Sequence, residues 1–392
     1  MSSLRISERE VDRLEELWNR YTTDPSIYEL EYRLTNNISR HAFTKLLSRL
    51  QALPDYSEML VDEYMTVSYV ENNKQLHIRH SIPQEELVNY CNRLFSYSIY
   101  DTVFKYPVYI DTVPQNMTFR EYPVRCNLKY EVPWSRASNT FALTEHIDVD
   151  TTRLIEKESK LIVSEKLKKF RNIKRFSFHT SDGYFRIDCS MIKSNAEPVH
   201  HITAAQDIYT IPAQFEVEIE CLDTSATLTF DTLKANILRH IYVILQSIQQ
   251  SLYILPASEN KKVQAEYESW INEHRHTLIE KYSLKTRFDT ITGQATFLSP
   301  KPVSISRSHL RPKNRINIIH NYTVTDKADG ESALLYVAKS GKIYIINHLI
   351  KFHDTGIRND EYSGSLFNGE LITHTKDGLT CYDYMGYDAY IC

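Results

Sequence analysis

The feature that most constrains this chain is a strict alternation of glutamate with aromatic or aliphatic residues over Phe215–Glu220. Successive side chains of a β-strand point to opposite faces, so Glu216, Glu218 and Glu220 share one face and the apolar residues share the other. An earlier segment, Tyr28–Leu34, alternates in the same way. Strands with one charged and one apolar face are typical of an antiparallel sheet, whose two faces meet different surroundings.

Composition narrows the class of protein. The chain has 392 residues, of which 42% are hydrophobic and 24% charged, which is typical of a globular protein with two or three domains. Only 9 residues are glycine, so Gly-rich phosphate-binding loops are not expected. The net charge of −4 excludes a uniformly basic nucleic-acid-binding surface but allows a local basic groove. The longest apolar runs are far shorter than the ~20 residues of a membrane-spanning helix, so no membrane partner is expected.

Helix and turn signals divide the chain. Ser7 and Glu10 have the spacing of a capping box and predict a helix near the start. Residues 103–220 have the pattern of short strands separated by proline and glycine turns, which predicts an antiparallel sheet or barrel. Apolar residues at helical spacing predict a helix over Asp231–Leu255. The charged segment Ser258–Tyr282 predicts a second helix, which we interpret as a connector before strands resume.

The acidic strand faces allow two interpretations. They are either the solvated face of a half-exposed sheet or a set of carboxylates that face the interior of a closed sheet. In an interior, clustered carboxylates repel each other and lose hydration, so they stay ionised only with cations nearby. Hard divalent ions such as Mg²⁺ or Mn²⁺ prefer these oxygen ligands.

Compensating basic residues lie between the two acidic strands. Arg125, Asn127, Lys129 and Glu131 share one face of Val124–Val132. The segment Lys166–Arg175 contains six Lys or Arg residues, including Arg171 and Arg175. Arg186, Asp188 and Ser190 share one face of Phe185–Met191. Acidic and basic strand faces in one domain suit a polyphosphate that is held by metal on one side and by Arg and Lys on the other.

This combination resembles the triphosphate tunnel metalloenzymes, specifically the RNA triphosphatases of fungi and large DNA viruses. The resemblance covers roughly residues 25–222 and implies an α+β fold with an antiparallel eight-stranded β tunnel and flanking helices. It assigns the metal to Glu29, Glu31, Glu216, Glu218 and Glu220. It assigns catalytic roles to Arg125, Arg175, Arg186, Asp188 and Glu131, with Glu131 orienting the attacking water. Phosphate contacts are implied for Arg33, Lys129, Arg171 and Ser190.

A second motif lies near the end of the chain. Lys327-Ala-Asp329-Gly330 resembles the KxDG motif of covalent nucleotidyltransferases, the mRNA guanylyltransferases and the DNA or RNA ligases. In that family the lysine attacks a nucleotide α-phosphate, and its amine must be deprotonated to do so. The resemblance implies nucleotide binding by Lys327, Asp329, Gly330 and Glu370, with GTP as the substrate. Asn368 departs from the family, which has an aspartate at that position.

Together, the two motifs resemble the capping enzymes of large DNA viruses of the mimivirus and African swine fever virus type. The expected domains are a tunnel domain over 1–255, a helical and loop linker over 256–320, and a partial nucleotidyltransferase α/β domain over 321–392. The later lysine-bearing motif and the OB-fold lid are expected beyond Cys392, so guanylyl transfer is expected only in a longer chain. The six cysteines lack a CxxC spacing, which is typical of reduced thiols, and the expected location is the cytoplasm, as a virus factory or virion component.

The leading hypothesis is therefore a metal-dependent RNA 5′-triphosphatase that acts in mRNA capping. Its expected partners are 5′-triphosphate RNA, with free NTP or polyphosphate as other substrates, and a cap methyltransferase domain or subunit. Two alternatives stay open at this point. One is a covalent GTP:RNA guanylyltransferase that acts through Lys327, and the other is a non-catalytic scaffold that binds RNA or polyphosphate.

Overall fold

The computed structural model describes residues 4–71, 74–83, 101–107, 109–110, 113–133, 167–199, 208, 210–251, 253–282, 305–312, 318–319, 330–377 and 379–391. Contacts divide the chain into two compact units, Ser3–Gln250 and Ser251–Cys392. None of the described helices is long and apolar enough to cross a membrane. Lys327 and Asp329 of the predicted nucleotide-binding motif lie outside the described residues.

The first unit contains three described α-helices and eleven described strands. The helices are α1 (Glu8–Tyr21), α2 (Arg40–Ala52) and α3 (Phe230–Gln249). The strands are β1 (Tyr28–Leu34), β2 (Leu60–Glu71), β3 (Lys74–Pro83), β4 (Asp101–Pro107), β5 (Tyr109–Ile110), β6 (Val113–Pro114), β7 (Asn116–Thr118), β8 (Val124–Pro133), β9 (Leu167–His179), β10 (Phe185–Ser194) and β11 (Gln214–Cys221).

Eight of these strands close on themselves. Their order is β1-β11-β10-β9-β2-β3-β4-β8, and β8 pairs back with β1, so the sheet has no free edge among these eight strands. Every pair is antiparallel, and β7 adds a further strand against β8. The predicted antiparallel eight-stranded tunnel is confirmed. We call the space that this closed sheet surrounds the tunnel.

The apolar core of the first unit lies outside the tunnel, against the helices. Leu14, Leu17 and Trp18 on one stripe of α1 are buried, and so are Tyr32 and Cys126 on the outer faces of β1 and β8. Complete burial of an aliphatic or aromatic side chain contributes roughly 1.5–3 kcal/mol, so the helices hold the outer faces of the strands. The inner faces are thereby left to the charged residues of the same strands.

Local signals account for where the helices begin and end. Ser7 accepts from the Glu10 N–H while the Glu10 carboxylate accepts from the Ser7 N–H, so the predicted capping box is present at α1. Helix α3 begins after Thr229 and ends earlier than expected, at Gln249 rather than at Leu255. Gln250 adopts a left-handed conformation with φ 52° and donates its N–H to Gln246, which ends the helix before Pro256.

The second unit has one described α-helix, α4 (Ala257–Tyr282), and a five-stranded antiparallel sheet. The strands are β12 (Glu331–Val337), β13 (Lys342–Asn347), β14 (Phe352–Arg358), β15 (Leu366–His374) and β16 (Thr380–Ile391), in the order β14-β13-β12-β15-β16. Short 3₁₀ turns at Asp223–Thr227 in the first unit and Arg307–Leu310 in the second complete the described elements.

Helix α4 was expected to be a connector because of its charged sequence, but it packs against the sheet of the second unit. Tyr267 and Trp270 are buried in one apolar cluster with Leu334 and Tyr336 of β12. The Trp270 indole N–H donates to the Gly364 carbonyl oxygen at 2.6 Å, which fixes the helix on the sheet. The expected linker over 256–320 therefore contains a helix that builds the core of the second unit. Its buried positions recur at helical spacing between charged residues, which conceal the apolar stripe in the average composition.

Candidate active site

Strand register brings the separately predicted acidic and basic segments to one surface. Glu31 of β1 lies opposite Glu220 of β11, and Glu218 lies opposite both Arg33 of β1 and Asp188 of β10. Since side chains alternate along each strand, residues that are register partners share a face. That face is the inner one, because the alternate residues of the same strands pack outward in the core.

Burial decides between the two interpretations of the acidic faces. Glu31 exposes 2% of its surface and Asp188 exposes 3%, which excludes a solvated face for these two carboxylates. The side chains of Glu216, Glu218 and Glu220 keep 19–26% of their surface exposed. Carboxylates removed from water to this extent need cationic or hydrogen-bonding partners to stay ionised.

Two glutamates find those partners among the basic residues of neighbouring strands. One oxygen of Glu216 pairs with Arg33, and the other accepts from Arg171 at 2.8 Å. Arg33 also approaches Glu218, with 3.6 Å between Nε and Oε1. Arg33 therefore bridges two of the glutamates for which the resemblance implies metal binding.

Glu31 has a similar environment, but its partners lie on β8, which pairs with β1 along the edge opposite to β11. Its Oε1 pairs with the Lys129 ammonium and accepts from the Asn127 amide at 3.1 Å. Glu29 lies opposite Lys129 in the same strand pair. The carboxylates of β1 thus meet the basic face of β8, as the alternation along both strands requires.

Asp188 contacts two further basic residues, Arg175 and Arg186. Its carboxylate accepts from the Ser177 hydroxyl at 2.7 Å and from Arg186 Nε at 3.1 Å, and it lies 3.3 Å from Arg175 Nη1. Arg186 continues to Glu220, with 2.5 Å between Nη2 and Oε2. A buried carboxylate that holds two guanidinium groups positions both of them, because each alternative side-chain conformation would leave a buried charge unpaired.

The electrostatic environment keeps both arginines charged. Burial disfavours the cationic form of Arg175, but the carboxylate of Asp188 and nearby Tyr64 and Glu218 outweigh burial, so the pKa of Arg175 lies above its usual value. Burial likewise opposes the charge of Arg186, and Glu220 and Asp188 raise its pKa. The two guanidinium groups are fixed positive charges inside the tunnel.

The other predicted residues differ in how far they are enclosed. Arg125 is exposed near the start of β8, and its Nε donates to the Thr118 hydroxyl at 3.3 Å. Glu131, near the end of β8, is partly buried, and its backbone N–H donates to the Ile27 carbonyl. Ser190 is buried on β10 opposite Glu216. Lys174 lies on the outer face, as its parity predicts, 3.9 Å from Glu63.

Ser177 and Tyr64 also lie at the site, although no role was predicted for them from the sequence. Ser177 contacts Asp188 directly, and the Arg175 guanidinium lies 5.7 Å from the centre of the Tyr64 ring. Ser177 follows Arg175 by two residues on β9, so the same parity argument could have found it. Tyr64 lies on β2, and only the pairing of β2 with β9 brings it to the site.

The donor set suits a hard divalent cation. Glu29, Glu31, Glu216, Glu218 and Glu220 supply carboxylate oxygens from two adjacent strands, which is the ligand chemistry of Mg²⁺ and Mn²⁺. Among the described residues, however, no three His, Cys, Asp or Glu side chains are gathered closely enough to hold a metal ion. The carboxylates are instead drawn towards arginine and lysine partners.

The second unit supports part of the KxDG motif. The Gly330 N–H donates to the Glu370 carboxylate at 3.3 Å, which joins the start of β12 to β15. A Cβ at Gly330 would lie 2.7 Å from the Leu371 carbonyl oxygen, so this close approach requires glycine. Asn368 is 1% exposed. The free-energy cost of burying its neutral amide is lower than that of burying a charged aspartate, the residue that the nucleotidyltransferases have at this position.

Comparisons with known proteins agree with this division of the chain. Residues 251–392 match the family model of the mRNA capping enzyme catalytic domain. The chain is 24% identical, over 378 residues or 95% of its length, to a probable mRNA-capping enzyme of Acanthamoeba polyphaga mimivirus. It spans 28% of the length of that relative. The chain is thus similar to an mRNA-capping enzyme of the mimivirus type.

Solved structures also match part of the chain. A triphosphatase of the mimivirus capping enzyme is 18% identical, with a TM-score of 0.43, and the match covers 61% of this chain and 98% of that one. The S. pombe RNA triphosphatase Pct1 is 11% identical, with a TM-score of 0.33, and the match covers 63% of this chain and 93% of that one.

Proposed function

We propose that the first unit is a metal-dependent RNA 5′-triphosphatase that removes the γ-phosphate of nascent RNA as the first step of mRNA capping. One observation carries the proposal: a closed tunnel whose inner face combines buried carboxylates with arginines and a lysine in direct contact. Such a lining suits a highly charged anion that arrives with its own divalent cations. The similarity to a probable mRNA-capping enzyme supports the choice of 5′-triphosphate RNA as the substrate.

In the proposed reaction, water attacks the γ-phosphorus, and the bond between this phosphorus and the oxygen that bridges it to the β-phosphate breaks. The products are inorganic phosphate and an RNA with a 5′-diphosphate. Mg²⁺ or Mn²⁺, held by the glutamates of β1 and β11, would polarise the γ-phosphoryl group. Arg175 and Arg186 would neutralise the charge that develops on the phosphate oxygens, since Asp188 holds both guanidinium groups in place.

The remaining tunnel residues would position the reactants. Glu131 would orient the attacking water and accept its proton, and Arg125, at the exposed start of β8, would contact the incoming phosphates. Arg33, Lys129, Arg171 and Ser190 would bind the other phosphate oxygens, because they occupy the same face as the glutamates. Free NTP and inorganic polyphosphate are alternative substrates, because these groups contact only phosphates.

The experiment is release of γ-phosphate from 5′-triphosphate RNA in Mg²⁺ or Mn²⁺, compared with a chelator. Glu29→Ala and Glu218→Ala should each reduce release by at least ~100-fold, because each removes a carboxylate from the tunnel. Glu63→Ala is the matched control, since Glu63 pairs with Lys174 on the outer face. Release that both tunnel variants retain would contradict the proposal, and RNA binding without release would favour the non-catalytic scaffold.

A second candidate function is covalent guanylyl transfer through Lys327. The match of residues 251–392 to the capping enzyme catalytic domain favours it, together with the contact of Gly330 with Glu370. The chain would be incubated with GTP labelled at the α-phosphate, alongside Lys327→Ala. Label lost in that variant would support the transfer in this chain, whereas label that survives would contradict Lys327 as the nucleophile.

A further inference from the structure

The charges of the tunnel neutralise each other in pairs. Glu216 is the clearest case, because Arg33 occupies one of its oxygens and Arg171 the other. Glu31 is paired with Lys129, and Glu220 is paired with Arg186. The residues that suit a metal ion and the residues that suit phosphate are therefore each other's partners.

We propose that a divalent cation and a phosphate group bind in the tunnel cooperatively, through an exchange of ion-pair partners. Phosphate oxygens take over Arg33 and Arg171, and the cation takes over the Glu216 carboxylate that these arginines release. The inference rests on the proposed function, because it concerns the same site. It adds that neither ligand binds well without the other.

The energetic reason is the cost of leaving a partly buried charge unpaired. A cation that binds Glu216 alone must displace two guanidinium groups, and these are only 30% and 37% exposed at their side chains. A phosphate that binds the arginines alone leaves Glu216 beside an anion, with the neighbouring Glu218 close to the same arginine. When both ligands bind, every charge keeps an opposite partner, so the combined cost is smaller than the sum of the separate costs.

The arrangement of the carboxylates in the described part of the chain agrees with this exchange. No three acidic, histidine or cysteine side chains of the described residues are gathered for metal binding, although five glutamates occupy two adjacent strands. Glu216 contacts Arg33 and Arg171 instead. By linkage, the factor by which phosphate strengthens metal binding equals the factor by which metal strengthens phosphate binding.

The test measures Mn²⁺ binding to the 392-residue protein by titration calorimetry, with and without inorganic sulfate. Sulfate has the shape and charge of a terminal phosphate, is not hydrolysed and binds free Mn²⁺ only weakly. Saturating sulfate should lower the Kd for Mn²⁺ about tenfold, within the range of ~5–150-fold that is typical of coupled sites. The reverse titration, sulfate with and without Mn²⁺, should give the same factor.

Arg171→Gln separates the exchange from simple loss of a phosphate contact. Without the competing guanidinium group of Arg171, Glu216 should bind Mn²⁺ more tightly when no sulfate is present. The ratio of the Kd for Mn²⁺ without sulfate to the Kd with sulfate should fall towards one. Lys174→Gln removes the same charge from the same strand but on the outer face, so it should leave both quantities at their wild-type values. Arg33→Gln is a second tunnel variant, and thermal unfolding checks that each protein is folded.

The outcomes distinguish this inference from the proposed function. If sulfate leaves Mn²⁺ binding unchanged, or if Arg171→Gln behaves like Lys174→Gln, the exchange is wrong even where phosphate release is observed. If Mn²⁺ does not bind in any condition and no phosphate is released, both the exchange and the proposed function are rejected. Tighter Mn²⁺ binding by Arg171→Gln without sulfate supports the exchange.

Discussion

In the first unit, charged strand residues point into a closed tunnel while apolar ones face outward to helices. In the second unit, apolar residues of a five-stranded sheet face α4, and side chains such as Tyr382 and Tyr387 are 60% and 54% exposed on β16. Alternation along the strands is thus used for opposite purposes in the two units. In the first it builds a charged interior, and in the second it brings Tyr336 of β12 and Tyr344 of β13 into one apolar cluster with α4.

The difference shows what closing a sheet demands of its residues. A charged face on an open sheet is hydrated and needs no particular partner. Inside a closed sheet the same face loses much of its hydration, so acidic and basic residues must be matched across strands, as Glu216 is with Arg33 and Arg171. The tunnel therefore depends on charge pairing, and the second unit depends on apolar packing. Three predictions test this comparison.

The largest expected effect is that of Asp188→Asn. The substitution keeps the shape of the side chain but leaves the partly buried cations of Arg175 and Arg186 without their shared carboxylate. We expect at least a ~100-fold loss of γ-phosphate release, and a fall of about 3 kcal/mol in the free energy of unfolding of the first unit. Phosphate release and urea unfolding measure the two effects. Glu63→Gln, on the outer face, should change the stability by less than ~1 kcal/mol.

Tyr267→Ala is the corresponding test in the second unit. The Tyr267 ring is completely buried and packs against Tyr336 and Phe352, with ring centres 5.5 and 5.6 Å apart. Its removal should lower the free energy of unfolding of this unit by about 3–5 kcal/mol, because a cavity remains in the apolar cluster. Hydrogen exchange of the backbone amides over 331–374 measures this free energy of unfolding. An equally large loss in Asn272→Ala, on the exposed side of α4, would contradict the assignment of the effect to packing.

A smaller, pH-dependent effect should appear in the first unit. His240 of α3 is completely buried against Phe185, and the Tyr56 hydroxyl contacts its Nδ1 at 3.0 Å. Burial, with a contribution from nearby Arg239, lowers the pKa of His240 from 6.5 to about 4. Well above pH 6.5 the ring is neutral in both the folded and unfolded states, so it adds no pH dependence there.

Below pH 6.5 only the unfolded chain gains a proton at His240, so stability falls progressively down to about pH 4. The difference between the two pKa values corresponds to about 3 kcal/mol. Urea unfolding of the first unit between pH 7 and pH 4 measures the slope. His240→Gln should flatten the slope by this amount, and an unchanged slope in that variant would contradict the assignment to His240.

Much of the tunnel could be predicted from local pattern. The alternation at Phe215–Glu220 and Tyr28–Leu34 identifies which residues share a face, and the register of β1 with β11 bears this out. The capping box of α1 is equally local. Helix α4 was misinterpreted as a connector because its apolar residues are spread among charges, and only the sheet that it packs on reveals their purpose. The roles assigned to individual tunnel residues stay predictions.

Sequence alone determined the strand alternation, the charge type at each position and the motifs that carry the resemblance, because these depend on neighbours within a few residues. Closure of the sheet, and with it the choice of an enclosed over a solvated charged face, was decided by tertiary structure. The pairing of β8 with β1 joins segments about 100 residues apart. The contacts of Asp188 with two arginines and of Tyr64 with Arg175 likewise arise only once distant strands become neighbours.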